Sequence, residues 1–441
     1  MDHEIKQKIK GLYWAIASEV FNTVFCYLTV FGSIFLLFLN RLSIPENRIG
    51  ILLSFFPFCG IIAPFISGYV EYLGTKKVFL FCWFARKTVA SLLLLLPKII
   101  YNFGSEAGIF YVTTIIMVFA LLRAAGETAY YPWAKEFVPD NLRGKFTAIG
   151  GIITGTAGLG AIFFASKIVG EGSGIEAYMK VISAGCVSGF ISVFFMSLVP
   201  GGKPVRGKKT TFDIFRISEP FRDKNFHYFL YAIGLALFGF SMMAFLPIFL
   251  KEKLNFIPGN VIILDNATIA GFILTGFLWG YIGDRFGGRP VIITSLALYS
   301  IVPAGWLFLF RDSFSIFPVV LFLYLLSGLS QPGRTVGIYR ILYSGIIKDN
   351  NTAIFYTSIY YAWIGFIGGL APLFAGHILK ILSNFQIKFS FFTFDAYSIL
   401  FLINLFFHFA AIFFIRKVRA DKQITTREMV FSIARNVFER K

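Results

Sequence analysis

Six ionisable side chains lie within long apolar runs of the sequence, where a charge is costly and usually has a role. They are Glu19, Arg86, Lys87, Arg123, Glu127 and Arg334. Arg123 and Glu127 are four residues apart, which places them on one face of a helix. A carboxylate beside an arginine can take up a proton and so break an ion pair. Glu19, Arg123 and Glu127 therefore indicate either proton coupling or an ion-pair network that only holds helices together.

Arg334 has no acidic residue near it in its own apolar run, so we expect it to meet a ligand or another polar group. It follows Gln331, Pro332 and Gly333, a sequence that predicts a broken helix at this point. Gln331 and Arg334 are therefore candidate ligand-binding residues. Arg86 and Lys87 are instead expected to extend their side chains toward the lipid headgroups.

Other kinds of chemistry lack the residues that they need. The four cysteines all fall in apolar runs, and no two of them have the spacing of a metal or redox motif. Neither a Ser/His/Asp set nor a Cys/His set can be assembled in one place. We therefore expect no catalytic residues, no metal and no cofactor, and the sequence predicts that the protein is not an enzyme.

The composition is that of an integral membrane protein. Hydrophobic residues make up 57% of the 441 residues, charged residues only 15%, and the mean hydropathy is +0.73. That leaves too little polar surface for a water-soluble particle of this size. The net charge of +18 would suggest nucleic acid in a soluble protein, but here the basic residues stand in short loops between apolar runs. Nucleic acid is therefore not an expected partner.

Apolar runs long enough to span a bilayer occur twelve times, and they predict an all-α membrane protein with twelve transmembrane helices in two six-helix halves. The predicted spans are 12–39, 48–70, 78–100, 109–133, 146–168, 177–199, 226–250, 260–282, 290–310, 316–343, 353–380 and 395–417.

The longest polar stretch between spans lies after the sixth one and divides the chain. We expect an N-terminal half over 1–200, a basic cytoplasmic linker over 201–225 and a C-terminal half over 226–418. Most Lys and Arg residues outside the spans lie on one side if both termini are cytoplasmic, as the positive-inside rule favours.

The last segment, 419–441, is expected to be a cytoplasmic amphipathic tail. Thr425-x-x-Glu428 is typical of a helix N-terminus, and apolar residues follow at helical spacing among basic ones. Two interpretations stay open for this helix. It lies on anionic lipid headgroups, or it packs against the inner ends of the bundle.

One short pattern occurs in both halves, after the second span of each. The first copy is Ser67-Gly68-x-x-Glu71-x-x-Gly74-x-Lys76, and the second is Gly280-x-x-x-Asp284-Arg285-x-Gly287-x-Arg289. Glycine permits the sharp reversal and the close backbone approach that a very short loop needs. The carboxylate can pair with basic groups or a helix N-terminus. We expect both copies to act as gating loops.

This repeated pattern resembles the loop motif of the major facilitator superfamily. The second copy fits closely, whereas the first has Ser67 in place of glycine and Glu71 in place of aspartate. Pro139-x-x-x-Arg143-Gly144 resembles another loop of the same family. The resemblance implies that spans one, four, seven and ten line a central cavity. Glu19, Arg123, Glu127 and Arg334 would then lie on cavity helices.

The resemblance implies a secondary active transporter that moves a small organic solute by alternating access. Proton-coupled symport is expected, with an anionic or zwitterionic solute. A lipid translocase (flippase) or a uniporter on the same scaffold remains the alternative. The expected partners are the solute, protons and membrane lipid, and the protein is expected to be a monomer. We expect a multi-pass protein of the plasma membrane, the inner membrane in a bacterium.

Overall fold

The structure is a computed structural model, and it describes most of the chain. The described residues are 2–138, 143–170, 174–204, 220–309, 316–347, 350–388, 393–419, 422 and 424–438.

Helices account for nearly all of the described chain, as expected of an all-α membrane protein. Their bounds are α1 (Asp2–Thr29), α2 (Ser33–Arg41), α3 (Glu46–Phe58), α4 (Ala63–Leu73), α5 (Thr75–Ser91), α6 (Leu96–Phe103), α7 (Ser105–Phe137), α8 (Arg143–Val169), α9 (Ile175–Ser197), α10 (Lys224–Met242), α11 (Leu246–Lys253), α12 (Pro258–Phe286), α13 (Gly288–Leu307), α14 (Ile316–Arg340), α15 (Asn350–Ile381), α16 (Ala396–Lys417) and α17 (Thr426–Phe438).

Eleven helical segments in the described residues are long and apolar enough to cross a membrane. Each overlaps one of the predicted spans, with borders that agree within a few residues. The remaining predicted span, 48–70, falls on α3, a 3₁₀ turn and α4, which is not among the eleven. The multi-pass architecture is confirmed, and the count of twelve stays a prediction.

The chain forms two compact units. The first comprises Met1–Phe212 with Phe245–Asn266, and the second comprises Asp213–Ala244 with Ala267–Lys441. In the first unit α1 packs against α8 and α9, and α5 packs against α7. In the second unit α10 packs against α15 and α16, and α13 packs against α14. Each unit therefore has its own apolar core. The predicted boundaries at 200, 225 and 418 stay a prediction.

Two local features differ from the sequence-based expectation. The helix does not break before Arg334, because α14 runs through Pro332 and gives way to a π-helical turn only at Ile341–Ile346. Two short strands, β1 (Gln386–Lys388) and β2 (Thr393–Asp395), form an antiparallel pair before α16. Asp395 then caps α16 by accepting a hydrogen bond from the backbone N–H of Ser398 at 3.0 Å.

The tail contains the predicted helix, α17. The backbone N–H of Thr425 donates to Glu428 Oε2 at 2.8 Å, and the Glu428 N–H donates to Thr425 Oγ1 at 3.2 Å. These bonds form the capping box that the sequence predicts. The bonds from Thr425 also hold the pKa of the Glu428 carboxyl below its usual value. The capping contribution is therefore present at neutral pH and is lost as the pH falls through that lowered pKa.

Candidate functional site

The predicted pair on α7 is formed. Arg123 Nε donates to Glu127 Oε1 at 2.7 Å, one helical turn apart. Neither side chain is fully buried, since 31% of Arg123 and 45% of Glu127 is exposed. The Arg123 guanidinium also lies 5.1 Å from the centroid of the Phe31 ring. The pair combines a titratable carboxylate with a permanent cation on a membrane-spanning helix.

Glu19 reaches the same helix through a different partner from the one expected. The hydroxyl of Tyr130 donates to Glu19 Oε1 at 2.6 Å, so the contact between α1 and α7 here is a hydrogen bond to tyrosine. Tyr130 follows Glu127 by three residues, and this spacing could have identified it as a member of the same helix face. The first unit thus holds both carboxylates along one stretch of α7.

Arg86 and Lys87 do not extend to the lipid headgroups, contrary to our expectation. Both side chains are buried inside the first unit, with 2% and 0% of their surface exposed. Both donate to Asn22 Oδ1 on α1, from Arg86 Nη2 at 2.9 Å and from Lys87 Nζ at 2.5 Å. Aromatic rings cover the rest, with Trp83 3.6 Å from the guanidinium and Phe25 3.6 Å from the ammonium. Cation–π contact and one amide therefore replace the expected lipid contact.

Arg334 lies in the second unit on α14, with its guanidinium 4.5 Å from the centroid of the Phe240 ring. It is half-buried, and in the described part of the chain it has neither a hydrogen bond nor an ion pair. Gln331, one turn before it, is also half-buried, and its backbone carbonyl accepts from Thr335 Oγ1 at 3.2 Å. The guanidinium therefore keeps its donors available to an incoming acceptor.

A buried polar group near Arg334 was not singled out by the sequence. His408 and Asn404 on α16 are both fully buried, and His408 Nδ1 lies 2.9 Å from the backbone oxygen of Asn404. The Tyr299 ring stands 4.6 Å from the His408 ring, and Gly239 leaves the space that the imidazole fills. The spacing of these residues in the sequence does not predict that they form a cluster, because they come from three different helices.

The first copy of the loop motif turns between α4 and α5 at Gly74, whose φ of +96° favours glycine. Lys76 Nζ donates to the backbone oxygen of Val199 at 2.6 Å, and the Lys76 N–H donates to that of Gly202 at 3.3 Å. Glu136 accepts from the Gly202 N–H at 2.7 Å. Gly68 lies within α4, and the side chain of Glu71 lies outside the described residues. Residues 139–142 of the Pro139–Gly144 loop are also outside them, whereas Arg143 and Gly144 begin α8.

The second copy turns between α12 and α13 at Gly287, where φ is +92°. Asp284 Oδ1 accepts from Arg340 Nη1 at 2.5 Å, while Arg285 Nη1 approaches the Tyr281 hydroxyl at 3.3 Å. A Cβ at Gly280 would meet open space, so the expected close backbone approach does not occur there. It occurs instead at Gly288, where a Cβ would lie 2.7 Å from the Gly337 oxygen.

The two loops share a contact that the repeated sequence pattern alone does not predict. Arg289 Nη1 donates to the backbone oxygen of Val418 at 3.3 Å, just as Lys76 donates to Val199. Each basic residue stands two positions after the turn glycine, and each valine lies within two residues of the end of a spanning helix, α9 for Val199 and α16 for Val418. Both valines are fully buried. We call this contact the exit clip, because it fastens the chain where it leaves α9 or α16.

The sequence profile of the Major Facilitator Superfamily matches residues 228–438. No curated protein matches the sequence.

The solved structures that resemble this chain include several transporters. The crystal structure of the nucleoside transporter NupG aligns with a TM-score of 0.66 at 16% identity, covering 93% of this chain and 98% of that one. The D-xylose-proton symporter gives 0.68 at 13% identity, covering 94% and 98%. A bacterial homologue of the lysosomal transporter Spinster gives 0.65 at 13% identity, also covering 94% and 98%. At such identities the likeness establishes the fold.

Proposed function

We propose that this chain is a transporter of the major facilitator superfamily, and that it moves a small organic solute by alternating access, coupled to protons. The observation that carries the proposal is the Arg123–Glu127 pair on a membrane-spanning helix. A carboxylate held there by an arginine can change the local charge when it binds a proton, and the pair then separates. Among the structural relatives, one is described as a proton symporter.

Charge on the candidate residues supports an anionic or zwitterionic solute. Arg123 and Arg334 balance Glu19 and Glu127 when both carboxylates are ionised, so one bound proton leaves an excess positive charge. Arg334 has donors free in the described part of the chain and a ring beside it that shields one face. A carboxylate or phosphate on the solute would satisfy that guanidinium by charge-assisted hydrogen bonds.

Reconstituted protein tests the proposal against its alternatives. Purified protein in liposomes should accumulate the solute when a pH gradient is imposed, with the solute first identified by a thermal-shift screen of metabolites. The movement of phospholipid between leaflets is measured in parallel, in liposomes that contain labelled phospholipid. Movement of lipid without solute uptake would identify a translocase, and uptake that ignores the pH gradient would identify a uniporter.

We further propose a monomer in the plasma membrane with both termini cytoplasmic. Epitope tags at Met1, at Lys441 and within the 201–209 segment should all be protected in intact cells and become accessible only after permeabilisation. The physical basis is the concentration of Lys and Arg in the segments on that side. A tag at any of these three positions that reacts in intact cells would contradict both the orientation and the twelve-span count.

A further inference from the structure

The tail after α16 is hydrogen-bonded to the second gating loop and to the start of α10. Beyond the exit clip at Val418, the Arg419 N–H donates to Asn225 Oδ1 at 2.7 Å. Lys422 Nζ then donates to the backbone oxygens of Asp284 and Arg285, at 2.6 and 3.2 Å. Those two carbonyls belong to the last turn of α12, directly before the reversal at Gly287. The tail therefore satisfies acceptors that the end of that helix leaves open.

The helix of the tail packs against the helices beside this loop. Met429 on α17 is buried, with 1% of its surface exposed, in a cluster with Trp279, Ile282 and Phe286 from α12 and Val291 from α13. These four residues flank the gating loop on both sides. One face of α17 is thus packed against the helices that the loop connects, as one of the two sequence interpretations expected.

The opposite face of α17 is exposed and combines apolar with basic side chains. Val430 and Phe431 are 49% and 63% exposed, and Arg427 and Arg435 are also exposed. The Arg427 guanidinium lies 5.5 Å from the Phe431 ring centroid. The segment 416–441 carries eight Lys or Arg residues against three Asp or Glu. Its exposed surface therefore pairs apolar area with an excess of positive charge.

We propose that this exposed face of α17 binds the anionic phospholipid headgroups of the adjoining leaflet, so that the tail links the charge of that leaflet to the gating loop at Asp284. The match is in both chemistry and charge: Phe431 and Val430 enter the boundary between headgroups and acyl chains, and the arginines meet phosphate. Each arginine at an anionic surface contributes roughly fivefold to binding. Met429 packs the other face of α17 against α12 and α13, and Lys422 binds the loop just before the helix begins, so the tail contacts lipid and loop at once.

Hydrogen–deuterium exchange on the full-length protein tests the lipid contact. The protein is placed in nanodiscs of phosphatidylcholine alone, or of phosphatidylcholine with phosphatidylglycerol. Residues 424–438 should exchange at least about fivefold more slowly in the anionic discs, as expected from the contribution of even one arginine. Native mass spectrometry should find phosphatidylglycerol retained in preference to phosphatidylcholine.

Charge-reversal variants in the tail, and a control pair elsewhere in the chain, test whether the arginines of α17 bind the lipid. Arg427→Glu with Arg435→Glu should remove the difference between the two disc types and the preferential retention. Arg48→Glu with Lys253→Glu changes the net charge equally at exposed positions elsewhere and should leave both intact. Equal exchange of the wild-type tail in the two disc types would overturn the proposal. So would an equal loss in both double variants, or protection that appears only when a second protein is added.

The proposed link between α17 and the loop at Asp284 is tested separately, by hydrogen exchange in a variant of Met429. Met429→Asp should undock α17, because a carboxylate cannot replace the thioether in an apolar cluster. The tail should then still be protected by anionic discs, while the loop at 284–287 loses the lipid-dependent protection that it shows in the wild type. Unchanged lipid-dependent protection of the loop in this variant would remove the link and leave only the membrane contact. Size-exclusion profiles confirm that each variant is folded, and none of these readouts requires transport.

Discussion

Glu127→Gln and Glu19→Gln are expected to abolish proton-driven accumulation of the solute in proteoliposomes. With a pH difference of one unit, one proton that moves down the gradient releases about 1.4 kcal/mol. This energy sustains roughly a tenfold concentration ratio of the solute. A glutamine cannot take up a proton, so the ratio should fall to the value without a gradient. At least one of the two variants should keep solute exchange, which requires no net movement of protons.

Two comparisons separate coupling from other defects. Glu176→Gln removes an exposed carboxylate at the start of α9 and should accumulate solute normally. Arg334→Ala should instead weaken solute binding by roughly tenfold or more, since a hydrogen bond to a charged group contributes about 1.5–3 kcal/mol. Normal pH-driven accumulation in both carboxylate variants would remove the proposed coupling role of Glu19 and Glu127.

Gly328→Val and Gly271→Val are expected to prevent stable folding of the second unit. These glycines let α12 and α14 approach backbone to backbone: a Cβ at Gly271 would lie 2.6 Å from the Leu325 oxygen, and one at Gly328 would overlap the Thr268 oxygen. Neither obstacle is a side chain that can turn away, so the helices themselves would have to separate. The separation would also stretch the bonds from Thr275 Oγ1 and Trp279 Nε1 to the Leu329 oxygen, at 2.9 and 2.8 Å.

The cost should reach about 3 kcal/mol, at the upper end of the usual range for overpacking. It is measured as loss of the monodisperse peak in detergent and as a lower unfolding temperature. Gly276→Val, on the same helix α12, places its side chain where nothing lies within 4 Å, and it should behave as wild type. Wild-type stability in Gly328→Val would show that the two helices do not pack in this way.

The helical spans could be predicted closely because hydropathy depends on local sequence, and a bilayer imposes one length on every span. The Arg123–Glu127 pair was also predictable from local sequence, because its two residues stand four positions apart on one helix. The positions of Arg86 and Lys87 were not, because the amide and rings that surround them come from α1 and α7 as well as α5. The sequence around Pro332 suggested a break, yet α14 runs through that residue, and Thr275 and Trp279 of α12 donate to its Leu329 oxygen.

The exit clips bear on how far the chain between them can change. Lys76 and Val199 both belong to the first compact unit, and Arg289 and Val418 both belong to the second. Neither contact is made by a residue of the segment 205–219. We therefore expect changes in the length or sequence of that segment to leave both contacts intact. A chain cut there would leave both fastenings as they are.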